Sequence, residues 1–253
     1  MMRRTLSCVG ILVGSLMVLM ALGGCSSGNL LMSQDQEITV GQQAAAKFQN
    51  ENGGLDRDAI RNALTRRIAR RIIPVATANP YPVYPYQFHV LANNQVNANT
   101  FPGGIIYLWR GLFNLTGNDE EQIAWVAGHE AAHVARKHIS ARLERSVGSD
   151  LLIQLVLGKD DAGKIASLVA GLSLQAYGRD QELEADRVGA VFAHDAGYDP
   201  TAALAVLEKF RTLGSDPNSL ELIFADHPGS ATREDDLKTF FRQKGWTGKY
   251  LAR

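Results

Sequence analysis

Residues 118–138 read NDEEQIAWVAGHEAAHVARKH, and this stretch decides the fold and the chemistry of the chain. Its start carries helix signals: Asn118 is a candidate N-cap, Glu121 completes a capping box, and Asp119 and Glu120 suit the positive end of the helix dipole. Val126, Ala127 and Val134 supply a buried side. On such a helix His129 and His133, four residues apart, lie about 40° apart around the axis and one turn along. Both imidazoles can therefore meet one metal ion, and neutral imidazole nitrogen is a good zinc ligand. Glu130 follows the first histidine at a position from which its carboxylate reaches a water on the open side of the metal. A histidine pair at this spacing is more often part of a core or a surface. The complete pattern His129-Glu130-Ala131-Ala132-His133 within a helix points to a metal site.

A catalytic zinc takes three protein ligands plus water, so a third donor must come from elsewhere in the chain. The zincin class that places a glycine and then a third histidine shortly after the motif is excluded, because Arg136 and Ile139 occupy those places. His138 falls one residue short of that register and is expected to be an exposed or hydrogen-bonded side chain. The better donor lies downstream in residues 179–187, RDQELEADR, where Glu182 and Asp186 share a helical face. Glu182 is the candidate ligand, and Asp186 can accept a hydrogen bond from the far nitrogen of a ligating histidine. Read blandly the same segment is a charged helix surface, which is the reading we give to Glu184.

Outward from this centre, the chain begins like an exported protein. Arg3 and Arg4 precede an apolar run from Val9 to Leu22, and Leu22-Gly23-Gly24-Cys25 resembles the lipobox of bacterial lipoproteins. The expectation is a signal peptide over 1–24, a lipid on Cys25 that anchors the chain in a membrane, a tether over 25–35 and one domain over 36–253. Ser26 after the cysteine favours the outer membrane if the source is Gram-negative. Cys8 and Cys25 are the only cysteines, so the mature chain has no internal disulfide. Charge is balanced at 26 basic and 26 acidic residues, which removes the broad positive field that nucleic-acid binding needs.

Helices are expected over 36–50 and 56–73. The second carries Ile60, Leu64, Ile68 and Ile72 on one face, ends at Pro74, and presents Arg61, Arg66, Arg67, Arg70 and Arg71 as a solvated face. Strands are expected over 86–92 and 104–109, the latter as an edge to which an extended substrate could add. The apolar runs 151–158 and 165–174 are interrupted by Lys159, Asp160, Asp161 and Lys164, which favours an amphipathic hairpin over a membrane span. The fold class is mainly helical α+β, with a small sheet beside the His-Glu helix.

Together these residues resemble the metallopeptidase family that includes HtpX and the CAAX prenyl proteases, and most of all its soluble, lipid-anchored or periplasmic bacterial branch, which implies a periplasm-facing place in the cell envelope. The resemblance rests on residues 97–104 (NANTFPGG) before a strand, Arg110-Gly111-Leu112, the His-Glu helix, the Glu182/Asp186 helix, and His227-Pro228 followed by Arg233. It implies a zincin-like fold holding one Zn2+ per chain through His129, His133 and Glu182, with Asp186 behind a ligand and Glu130 as general base. It also implies that His227 can approach the zinc as a gate or fourth ligand, and that Arg233 can stabilise an oxyanion. The activity implied is a zinc endopeptidase acting on polypeptides, in particular unfolded or misassembled cell-envelope proteins, with envelope assembly machinery as a partner. The alternative is a chaperone-like or latent envelope lipoprotein with a capped zinc site, against which the presence of Glu130 argues.

Overall fold

The structure, a computed structural model, describes residues 32–148, 162–214 and 231–251. In chain order these form α1 (Gln34–Glu51), α2 (Ala59–Ala76), β1 (Gln87–Leu91), β2 (Ala98–Thr100), β3 (Ile105–Trp109), α3 (Arg110–Thr116), α4 (Glu120–Ala135) and α5 (His138–Val147). After these come α6 (Ala162–Leu172), α7 (Arg179–Asp195), α8 (Ala202–Gly214) and α9 (Ala231–Lys244). The expected class, mainly helical with a small sheet beside the His-Glu helix, is what the chain adopts. Among the described residues no helix is long and apolar enough to cross a membrane.

Helix α4 is the axis of the molecule, buried without a break from Gln122 to Ala135. Its N-cap is Asp119, one residue later than expected, and the Asp119 carboxylate accepts from the Glu121 and Gln122 amides. Asn118 takes a left-handed conformation with φ 59°, ending the preceding turn, which asparagine tolerates better than most residues. The first turn of α4 is then held from outside. Arg67 donates twice to Glu120, Tyr198 donates to Glu120, and the Asp199 amide donates to Glu121. The arginines of α2 are therefore not all a solvated face: Arg67 anchors α4, Arg61 pairs with Asp56, and Arg71 lies over the Tyr198 ring. Helix α2 also runs past Pro74 to Ala76. A proline in the last turn removes only one ladder hydrogen bond. Burial of Ile72 and Ala76 and the Thr77 hydroxyl donating to the Ile73 carbonyl carry the helix through.

The sheet has strand order β1-β3-β2, with β1 parallel and β2 antiparallel to β3. This corrects the reading of residues 104–109 as an edge. Strand β3 is the central strand, hydrogen-bonded on both sides, and all five of its residues are buried. Its run Ile-Ile-Tyr-Leu-Trp lacks alternation because both faces are covered. Ile106 and Leu108 face the core formed with α2, α4, α7 and α8, whereas Ile105, Tyr107 and Trp109 face a second core with α1 and α6. The edge strands are β1 and β2; the three residues of β2 gave no periodic signal, and it packs beside α4.

Candidate metal centre

His129 and His133 point the same way from successive turns of α4, with their Nε2 atoms 3.0 Å apart. Glu182, in the first turn of α7, brings Oε1 to 3.4 Å from His133 Nε2 and Oε2 to 3.8 Å from His129 Nε2. Donors about 2.0–2.1 Å from one tetrahedral ion stand roughly 3.3 Å from one another. The three separations bracket that figure, so the donor set fits a zinc-sized ion. Its chemistry agrees: the far nitrogens of both rings have partners of their own, so two ring lone pairs and a carboxylate converge on one buried point. Such a cluster of bases calls for a cation. Glu130 is on the same helix and 1% exposed.

The separations among these donors depend on how closely α4 and α7 approach, and theirs is the most extensive helix pairing among the described elements. Two glycines make the crossing possible. A Cβ on Gly128 would lie 2.7 Å from the Gly189 carbonyl oxygen, and one on Gly189 would lie 2.6 Å from the His129 nitrogen. Both obstacles are backbone and cannot swing aside. Gly189→Ala should therefore push α7 away from α4, costing about 1–3 kcal/mol of stability. It should also weaken metal binding, because Glu182 and Asp186 travel with α7. Denaturant unfolding and metal titration of this variant check both effects; parent-like values in both would mean that the crossing has slack.

Behind these donors lies a layer of buried charge. Asp186 Oδ1 is 3.0 Å from His129 Nδ1. Arg233, from α9, donates to Asp186 through Nε at 2.7 Å and Nη2 at 2.6 Å, and its Nη1 lies 2.8 Å from Glu182 Oε2. Burial by itself raises the Asp186 carboxyl pKa, but the adjacent guanidinium and the hydrogen bonds more than offset this and hold it below the usual carboxylate value. All of the Arg233 donor nitrogens thus have a carboxylate within reach. Sequence reasoning gave this residue an oxyanion role and did not foresee its pairing with Asp186, because nothing in the local sequence links positions 186 and 233.

Of the two alternatives the sequence left for His138, exposed or hydrogen-bonded, the structure shows the second, while Glu184 stays half-exposed on its helix. His138 is buried at 4% exposure, with Nδ1 2.9 Å from His133 Nδ1 and Nε2 3.2 Å from Glu184 Oε2. Burial pushes its imidazole below the ordinary histidine value, outweighing the Glu184 hydrogen bond and charge. Glu184 also pairs with Arg136. The Tyr177 ring stacks on His133 at 3.9 Å, and the Arg142 guanidinium lies over the Tyr177 ring at 3.7 Å while donating to the Leu172 and Gln175 carbonyls. His227, Pro228 and Cys25, with the signal segment 1–24 and the apolar run 151–158, lie outside the described residues.

Compared with known families, residues 59–240 match Peptidase family M48. Among individual proteins, the chain is 34% identical over 149 residues to the mitochondrial metalloendopeptidase OMA1 of Arabidopsis thaliana, covering 58% of this chain and 30% of that protein. It is 28% identical over 227 residues to the beta-barrel assembly-enhancing protease of Yersinia pestis, covering 85% of this chain and 46% of the relative. It is 25% identical over 178 residues to the metalloprotease LoiP of Escherichia coli (strain K12), covering 67% and 69%. The chain spans less than half the length of the first two relatives.

Proposed function

The chain belongs to Peptidase family M48, and from that premise we propose that it is a zinc-dependent endopeptidase of the cell envelope that hydrolyses unfolded or misassembled polypeptides. The observation that carries this reading is the convergence of His129, His133 and Glu182 beside Glu130 in one buried site. His129, His133 and Glu182 hold one zinc ion. When bound, zinc supplies a Lewis acid that polarises a peptide carbonyl and acidifies water. Glu130 takes the proton from the attacking water and returns it to the leaving amine. Asp186 accepts from His129 Nδ1 and so keeps the Nε2 lone pair aimed at the ion. Arg233 balances the charge of Asp186 and Glu182 and orients both carboxylates, which makes it a positioning residue in place of the oxyanion donor expected from sequence. An extended substrate adds to β2, the one of the two edge strands that packs beside α4, through backbone hydrogen bonds that tolerate many side chains.

Lipid attachment at Cys25 would place this domain at a membrane surface, and similarity to beta-barrel assembly-enhancing proteases supports envelope proteins as substrates and assembly machinery as a partner. His227 is retained as a gate or fourth ligand. The burial of all three ligands and of β2 favours a second reading, a latent form of the same peptidase whose site opens when a substrate or partner binds.

Purified protein should contain one zinc per chain and cleave an unfolded protein such as reduced casein. Chelation should abolish cleavage and zinc should restore it. Zinc-loaded protein that cleaves neither casein nor unfolded β-barrel polypeptides, alone or with envelope extract, would remove the peptidase reading.

A further inference from the structure

His138 owes its place to a break in the helix. Had α4 continued, a residue five positions after His133 would stand about 140° around the axis from it, on another face. Instead α4 is capped at Arg136, Lys137 adopts a left-handed conformation with φ 55° and ψ 32°, and α5 starts afresh at His138. The turn folds His138 back onto the ring it has just passed, nitrogen to nitrogen at 2.9 Å.

The proton inventory of this contact has one solution when the ion is present. His133 Nε2 faces Glu182 and His129 Nε2, so it carries the lone pair and the ring proton sits on Nδ1. An Nδ1–H donor needs an acceptor, and the atom opposite is His138 Nδ1. That atom must then be unprotonated, which puts the His138 proton on Nε2, where Glu184 Oε2 accepts it at 3.2 Å. Every nitrogen in the chain has one role, and both rings are neutral. His129 meets its carboxylate directly in Asp186, whereas His133 meets one through an intervening imidazole.

We propose that His138 and Glu184 are positioning residues for the metal, with His138 accepting from His133 Nδ1–H and Glu184 fixing the tautomer in which His138 can do so. This rests on the zinc site proposed above. It assigns a role to two side chains that neither the ligand motif nor the surface charge pattern singles out.

The test is metal affinity, read without reference to activity. Zinc binding to chelator-stripped full-length protein is measured by competition with a chromophoric chelator, and the visible spectrum of the cobalt form is recorded. His138→Leu removes the acceptor at similar volume and should weaken zinc binding by about 10–100-fold, with a changed cobalt spectrum. His138→Asn puts an amide oxygen where Nδ1 stood and should restore most of both. Glu184→Leu should cost several-fold in the parent and little in the His138→Asn background, since its effect passes through the imidazole. A folded His138→Leu protein with parental affinity and spectrum overturns the proposal, as does His138→Asn binding as weakly as His138→Leu. If His138→Leu does not fold, the half-exposed Glu184 decides: unchanged affinity in Glu184→Leu overturns the proposal. A parent protein that binds no zinc or cobalt would instead sink the metal site itself.

Discussion

Glu130→Gln is expected to lower peptide hydrolysis by on the order of 10²–10⁴-fold while leaving the zinc content at the parental level. The amide has nearly the shape of the carboxylate and cannot accept a proton from water. None of the three ligand side chains is altered, and the residue lies wholly inside α4, where an isosteric change disturbs little. Turnover of an unfolded protein and zinc content, measured on the same preparation, separate the base from the ligands. Parental turnover in the variant would remove Glu130 from the mechanism. Loss of zinc together with activity would mean that its carboxylate helps to hold the ion.

Arg233→Leu should destabilise the zinc-free protein by about 3–5 kcal/mol, because it strands two buried carboxylates. Asp186 is 0% and Glu182 2% exposed, so water cannot replace the lost guanidinium without opening the α7–α9 contact. Arg233→Lys should recover only part of this, since one ammonium cannot match a fork that reaches both oxygens of Asp186 and one of Glu182. Denaturant unfolding of chelator-stripped proteins gives the comparison. The sign of its pH dependence follows from Asp186, whose pKa is lowered in the folded protein. Stability from that shift is present above the ordinary carboxylate pKa and is lost as pH falls through the lowered value. The gap between parent and variant should therefore narrow in acid. A gap under about 1 kcal/mol near neutrality would show that the two carboxylates do not depend on Arg233.

How much of this could be read from the chain follows the reach of each interaction. Helix α4 was legible to within one residue at its start, since capping and period are local properties; the shift from Asn118 to Asp119 reflects a left-handed turn that the composition permits at either position. Helix α2 was expected over 56–73 and runs Ala59–Ala76; it was ended too early because a proline penalty read in isolation ignores the packing of Ile72 and Ala76. Strand β2 was missed because three residues cannot show a period. The role of β3 was inverted because an apolar run does not say on which side its partners lie.

The same division runs through the metal centre. Residue types and spacing by themselves named His129, Glu130 and His133, because one turn of helix holds them together, and chemical need then directed attention to a carboxylate pair one turn apart at Glu182 and Asp186. Tertiary structure alone decided the rest. The glycine contact between Gly128 and Gly189 sets the distance from α4 to α7, Arg233 arrives from a helix some fifty residues beyond Asp186, and the left-handed Lys137 turns His138 inward to meet Glu184. These contacts join segments whose separation along the chain carries no periodic signal, and they exist only once the helices have packed.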